Sequence, residues 1–193
     1  MVEKYILFQP KLSLRKGKRK NMNVLINEAR IEKRLDEMAR EIDKAYEGKE
    51  IILIGILKGS VVFMVELAKR LKTKVQFEFI EVSSYEGTES TGKVKIVKDI
   101  KNSIEGKDVL IIEDIIDTGT TLAFLKDYLK LKRPNSLKIA TLLSKPSRRT
   151  KELEVEYIGF RIEDKFVVGY GLDYNQNYRN LPYIGYVESV DEF

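Results

Sequence analysis

The stretch 108-DVLIIEDIIDTGTTLAFLKDYLKLKR-133 decides the fold: apolar residues packed between acids, a loop with one glycine and three threonines, then a helical pattern that Pro134 ends. A strand with no polar alternation is buried on both faces, which implies a parallel sheet covered by helices on either side. The pattern predicts a strand over 108–114 and a helix over 122–133. Working outward, 51-IILIGIL-57 repeats the continuous apolar run, and 60-SVVFMVELAKRL-71 comes after it as a crossover helix with Ser60 as its N-cap. Upstream, Ile31, Leu35, Met38, Ile42 and Ala45 fall at alternating steps of four and three, with Gly48 beyond them, which predicts an amphipathic helix with a glycine stop. Downstream, 74-KVQFEFIEV-82 alternates Val75, Phe77 and Phe79 like a strand with one wetter face. The polar run 84-SYEGTESTGK-93 reads as a hairpin or loop before a strand near 94–100, and further strands lie over 137–145, 155–162 and 165–170. Strands alternating with helices give an α/β domain with a mostly parallel central sheet flanked by helices, and the helix-poor last third predicts a small subdomain beside the sheet edge.

The chain has 193 residues, enough to bury about 70% of the surface exposed when unfolded, so one core needs no staple. Cysteine and histidine are both absent. Their absence excludes Ser-His-Asp and Cys-His nucleophiles, Cys/His zinc sites and disulfides, and leaves carboxylates, lysine, arginine, hydroxyls and backbone groups to do any chemistry. The apolar runs are too short to cross a bilayer and the first residues lack an apolar signal core, so a soluble, cytoplasmic protein is expected. The formal charge of +5 is unevenly placed. Residues 1–20 hold seven basic side chains against Glu3 alone, leaving 28 basic and 29 acidic groups in the other 173 residues. The basicity is therefore a tail on a neutral body. This predicts an N-terminal extension over 1–21, solvated or derived from translated upstream sequence with the natural start at Met22, and a single domain over 22–193.

Ligands of open α/β sheets gather at the carboxyl ends of the strands, which directs attention to the segment just after 108–114. Glu113 and Asp114 stand at that strand end, Asp117 comes three residues later, and Thr118, Gly119, Thr120 and Thr121 open a helix. A glycine and hydroxyls at a helix N-terminus make an anion cradle of outward N–H groups. The loop lacks the lysine and the spacing of a Walker motif. Two acids beside a phosphate site would repel the phosphate unless they serve ribose hydroxyls or a hydrated Mg²⁺. On local pattern alone, solvated turn acids with Thr118 as a helix cap remain an equal reading.

The stretch 109-VLIIEDIIDTGTTL-122 resembles the phosphoribosyl-diphosphate motif of the type I phosphoribosyltransferases, and three further segments match in order: Leu57-Lys58-Gly59, 142-LLSKPSRR-149 and 165-KFVVGYGLDYNQNYRNLPYIG-185. The last is similar to the C-terminal signature of the hypoxanthine-guanine branch of that family. The resemblance runs from about Val24 to Val187. It implies the type I phosphoribosyltransferase fold with a small hood, and transfer of a phosphoribosyl group from phosphoribosyl diphosphate to a 6-oxopurine with release of pyrophosphate. It further implies that Asp117 to Thr121 bind the 5′-phosphate, that Asp117 is the general base, and that Glu113 and Asp114 hold the ribose hydroxyls directly or through Mg²⁺. Lys58, Gly59 and Arg179 would contact pyrophosphate, with a cis non-proline peptide at the first of these. Lys145, Phe166 and Val167 would read the purine together with Asp173, which also joins Glu113 and Asp114 as a metal-binding acid. Ser84 and Tyr85 would belong to a closing lid. Family membership also implies a homo-oligomer, a dimer or a tetramer.

One part of this has an independent chemical warrant. An ammonium such as that of Lys145 has three donors and no acceptor, so it meets a 6-oxo group and not the 6-amino group of adenine. A xanthine-guanine enzyme is the alternative within the class. A regulator that binds RNA on the same fold is the alternative outside it, and it would need a basic folded face that a body of net charge −1 does not offer.

Overall fold

The computed structural model describes residues 22–84 and 94–187. The basic extension over 1–21 and Tyr85 of the expected lid lie outside the described residues. Six strands form the main sheet: β2 (Glu50–Leu57), β3 (Lys74–Ser84), β4 (Val94–Lys98), β5 (Asp108–Ile116), β6 (Ser136–Ser144) and β7 (Tyr157–Arg161). Their order is β4-β3-β2-β5-β6-β7, all parallel except the edge strand β4, which pairs antiparallel with β3. β3 and β4, consecutive in the chain, thus pair with each other, while residues 85–93 of the expected hairpin or loop lie outside the described residues.

Alternate residues of the central strands serve opposite faces. Leu53, Leu110, Ile112 and Leu142 pack with α1 (Glu28–Ala45) and α2 (Ser60–Ala68), while Ile52, Ile54, Val109, Ile111 and Ile139 pack with α3 (Thr120–Lys130). Ile51 to Ile54 and Val109 to Ile112 are all buried, as continuous apolar runs require. On α1, Ile31, Leu35, Met38 and Ile42 are buried, but Ala45 is exposed and Tyr46 takes the next core position. The helix begins earlier than the apolar spacing alone indicates because the Asn27 side chain accepts from Arg30 N at 3.0 Å and caps it.

Two expectations are corrected. Ser60 is not the N-cap of α2: Gly59 holds that place, and the Ser60 hydroxyl is buried and donates to Ile56 O at 2.7 Å. In β3 the Phe77 face is the more open one, with Phe77 43% exposed while Ile80 is fully buried and Glu78 nearly so. Glu78 tolerates this because its carboxylate accepts from Lys101 N and Asn102 N at 3.1 and 3.2 Å.

The small subdomain is a three-stranded antiparallel sheet, β1 (Asn23–Ile26), β9 (Ile184–Val187) and β8 (Phe166–Val168), in the order β1-β9-β8. It joins the two ends of the described chain, a pairing the sequence pattern did not indicate. Among the described residues no helix is long and apolar enough to cross a membrane.

Candidate functional site

The strand order places a switch point between β2 and β5. From β2 the chain crosses through α2 to β3 on one side, and from β5 it crosses through α3 to β6 on the other, with the two helices on opposite sheet faces. Ligands of such sheets bind in the crevice outside the strand ends at this point. The segments Leu57-Lys58-Gly59 and Glu113 to Thr121 are those ends.

Strand β5 runs two residues further than expected, to Ile116, and its pairing with β2 stops at Gly55 opposite Ile112. Glu113 and Asp114 therefore project past the paired part of β2 and meet the loop beyond it. The contact is close: a Cβ built on Gly59 would sit 1.6 Å from Asp114 Oδ2. A Cβ on Gly171 would sit 2.0 Å from Gly59 O, so the hood loop, the loop after β2 and the β5 carboxylate are stacked at backbone distance. The Leu57–Lys58 peptide is cis, as the resemblance implied, and Lys58 is exposed.

Arg179 ties this cluster together. Its Nη1 donates to Gly171 O at 2.8 Å and its Nη2 pairs with Asp173 Oδ1 at 2.7 Å. Asp173 Oδ2 also accepts from Gln176 N at 2.8 Å. Burial pushes Asp114 up to about 6, with the Ile115 N–H and Arg179 acting in the opposite sense. Burial, reinforced by the neighbouring Asp114, raises Glu113 well above the ordinary carboxylate range. Glu113 Oε2 is shut off from solvent and has no hydrogen-bond partner among the described residues. Among those residues no three metal-ligating side chains form a closed cluster. Two hard carboxylates, one with an oxygen lacking any partner, suit a Mg²⁺ that keeps waters and substrate oxygens in its remaining positions.

The loop 117–121 has the backbone an anion cradle needs. Gly119 is the N-cap of α3 with φ +84°, a left-handed conformation that side chains resist. The Thr118 hydroxyl donates to Thr120 Oγ1 at 3.2 Å, and Thr120 N lies 3.3 Å from the same hydroxyl oxygen. Helix α3 begins at Thr120, two residues before the expected start.

A second group of charges borders that loop. Asp117 Oδ1 pairs with Arg148 Nε at 3.1 Å; the same Nε is 3.7 Å from Asp164 Oδ2, and Asp164 Oδ1 is 3.1 Å from Lys145 Nζ. Lys145 lies just past β6 and is only 8% exposed, so Asp164 supplies the counter-charge that a buried ammonium requires. Asp164 lies two residues before Phe166, which links the hood strand β8 to Lys145. Phe166 is 38% exposed with its ring edge-on to Tyr174 at 5.7 Å, and Val167 is buried. The structure thus groups Gly59, Asp114, Gly171, Asp173 and Arg179 in one cluster, with Lys58 adjoining Gly59 in the chain, and Asp117, Lys145 and the approach to β8 in another; Asp114 and Asp117 belong to one strand-to-helix segment. Ser84 ends β3. Arg148, Arg149, Asp164 and Gly171 were not singled out from sequence, although 142-LLSKPSRR-149 contained the first two.

The Phosphoribosyl transferase domain model matches residues 23–175. The chain belongs to the phosphoribosyltransferase family. Within it, this phosphoribosyltransferase is 53% identical over 163 residues to a hypoxanthine-guanine phosphoribosyltransferase of Staphylococcus aureus strain Mu50, covering 84% of this chain and 91% of the relative. A crystal structure of a hypoxanthine-guanine phosphoribosyltransferase from Bacillus anthracis superposes with a TM-score of 0.82 at 49% identity, covering 86% of this chain and 98% of the other. A hypoxanthine phosphoribosyltransferase structure from Staphylococcus aureus gives 0.82 at 52% identity, covering 86% and 91%. The α/β fold with a mostly parallel sheet and the phosphoribosyl-transfer class therefore stand together.

Proposed function

We propose that this phosphoribosyltransferase joins hypoxanthine or guanine to the phosphoribosyl group of 5-phosphoribosyl 1-diphosphate, giving IMP or GMP and pyrophosphate, a purine-salvage reaction in the cytoplasm. A purine ring nitrogen forms a bond to ribose C1 as the bond from C1 to the pyrophosphate oxygen breaks, and the nitrogen's proton leaves to Asp117. The observation that carries the 6-oxopurine reading is the buried Lys145 ammonium, held by Asp164. Its spare donors suit an oxo group, and the relatives named above are hypoxanthine-guanine enzymes.

In this reading the N–H groups and hydroxyls of Thr118, Gly119, Thr120 and Thr121 hold the 5′-phosphate, with the N-terminus of α3 behind them. Glu113 and Asp114 take the ribose hydroxyls. Lys58, Gly59 and Arg179 bind pyrophosphate, and the planar, permanently charged guanidinium of Arg179 suits its oxygens. Phe166 offers a half-exposed ring for stacking on the purine, and the Val167 backbone reads its edge. Glu113, Asp114 and, once released from Arg179, Asp173 would hold a Mg²⁺, whose charge would offset that of the pyrophosphate. Asp117 engages Arg148 through Oδ1, so the purine proton can be taken at Oδ2. A positioned base of this kind contributes about 10²- to 10⁴-fold.

The test is direct. The chain incubated with phosphoribosyl diphosphate, Mg²⁺ and hypoxanthine or guanine should release pyrophosphate and form IMP or GMP. Formation of neither nucleotide would refute the reading.

A further inference from the structure

The turn after β6 folds back along the loop after β5 and brackets Asp117. Lys145 N donates to Ile116 O at 2.9 Å and Thr150 N donates to Thr118 O at 3.0 Å, one contact on each side of Asp117 in the chain. Between these two ties the chain makes a single 3₁₀ turn over Pro146–Arg148, closed by Arg148 N donating to Lys145 O at 3.2 Å. Pro146 presets the backbone angle at the start of this turn, and Arg148 ends it.

From that position Arg148 Nε donates to Asp117 Oδ1 at 3.1 Å, and the Asp117 side chain has no other hydrogen-bond partner among the described residues. The same Nε lies 3.7 Å from Asp164 Oδ2, while Asp164 Oδ1 holds Lys145 Nζ at 3.1 Å. One guanidinium therefore stands between the carboxylate read as the base and the carboxylate that holds the purine-reading lysine. All three of these groups, Arg148, Asp117 and Asp164, are about half exposed, so their pairing adds little to stability. Its effect on direction is separate. The last torsion of an aspartate is broad, and a carboxylate free to turn is lined up with a given proton only part of the time. Pinning Oδ1 leaves Oδ2 as the free oxygen, held in one direction.

We propose that Arg148 is a positioning residue for proton abstraction: by holding Asp117 Oδ1 it fixes the carboxylate so that Oδ2 takes the purine proton, and its second neighbour, Asp164, keeps it beside the lysine that reads the same ring. The purine N–H bond breaks, its proton passes to Oδ2, and its electron pair stays on the nitrogen that bonds to ribose C1. The inference rests on the reading of Asp117 as the general base. The role needs no contact between Arg148 and either substrate.

The test is a double-mutant cycle of Arg148→Met and Asp117→Asn, read as the single-turnover rate of IMP formation, with the KM for hypoxanthine measured alongside. Misplacing a reacting group by about 1 Å costs on the order of 100-fold, so Arg148→Met should slow the single turnover by about 10- to 100-fold. The KM for hypoxanthine should stay within about threefold of wild type, because Asp164 still holds Lys145. In the Asp117→Asn background Arg148→Met should change the rate by less than about threefold, since the group it positions is already gone. A single-turnover rate within threefold of wild type in Arg148→Met would overturn the assignment. Equal losses in both backgrounds would overturn it as well, because Arg148 would then act other than through Asp117. So would a rise in the KM for hypoxanthine that matches the fall in rate, the mark of a collapsed turn that displaces Lys145 too. Should Arg148→Met not fold, Arg148→Gln goes through the same cycle and is read by the same limits. Asp117→Asn at the wild-type rate removes the base reading and this inference together, whereas a slow Asp117→Asn beside a fast Arg148→Met removes this inference alone.

Discussion

Replacing Gly59 with alanine adds one methyl group at the tightest point of the site. The Gly59 backbone, at φ −62° and ψ −39°, is ordinary helical geometry that alanine adopts without strain, so the effect is purely one of space. The new Cβ would lie 1.6 Å from Asp114 Oδ2 and 2.6 Å from its Cγ. An ordinary carbon-oxygen contact is about 3.5 Å, so one partner must move by nearly 2 Å. Asp114 is held by the Ile115 N–H on its Oδ1 at 2.8 Å, and the loop cannot retreat because Gly171 packs on Gly59 O. Overpacking of this kind costs about 1–3 kcal/mol, within the margin of a typical fold, so the variant should still fold. Misplacing a substrate-positioning group by about 1 Å costs on the order of 100-fold, and kcat/KM for phosphoribosyl diphosphate should fall by at least that much. The assay is steady-state pyrophosphate release beside a thermal melt. Gly106→Ala is the control: nothing lies within 4 Å of its Cβ, and its φ of +68° costs stability of about 1–2 kcal/mol without touching turnover. Gly59→Ala with kcat/KM within threefold of wild type would refute the claim that Asp114 and the loop after β2 form one working unit.

Three other outcomes are expected. Asp117→Asn should lower kcat by about 10²- to 10⁴-fold with little change in IMP affinity, and an unchanged kcat would remove Asp117 from the role of base. Asp164→Asn should raise the KM for hypoxanthine by roughly tenfold or more, leaving that for phosphoribosyl diphosphate unaltered, because Lys145 loses its only ion-pair partner among the described residues; equal KM changes for both substrates would argue against a positioning role. Phe63→Ala, in the core beneath α2, should cost about 3–5 kcal/mol in denaturant unfolding while both KM values hold, and a loss under 1 kcal/mol would mean the core is not packed as described.

The main sheet was legible because its central strands are buried on both faces. Ile51 to Ile54 and Val109 to Ile112 cannot alternate with polar residues when helices cover each side, and the length of each run suits a strand between two helical layers. The 117–121 loop was legible for a different reason: Gly119 and its threonines sit at a strand-to-helix turn, a local feature. The hood was only partly so. β1 and β9 are four residues each and pair across most of the chain length, which leaves no periodic trace. The charged groups were the hardest. Arg148, Arg149 and Asp164 look like solvated side chains in sequence, and they acquire partners only when the turn after β6 folds back on the β5 loop. Ser60 was misplaced because its hydroxyl satisfies the preceding strand end at Ile56 O, a contact that a capping rule written for isolated helices does not include.

That a buried lysine selects a 6-oxopurine for phosphoribosyl transfer is tested most directly by competition. Hypoxanthine and adenine are offered together at equal concentration with limiting phosphoribosyl diphosphate and Mg²⁺, and the nucleotides formed are separated and counted. IMP should exceed AMP by about 10⁴-fold, the discrimination available when a buried polar group is left unpaired by the wrong base. AMP formed in amounts comparable to IMP would contradict the role given to Lys145.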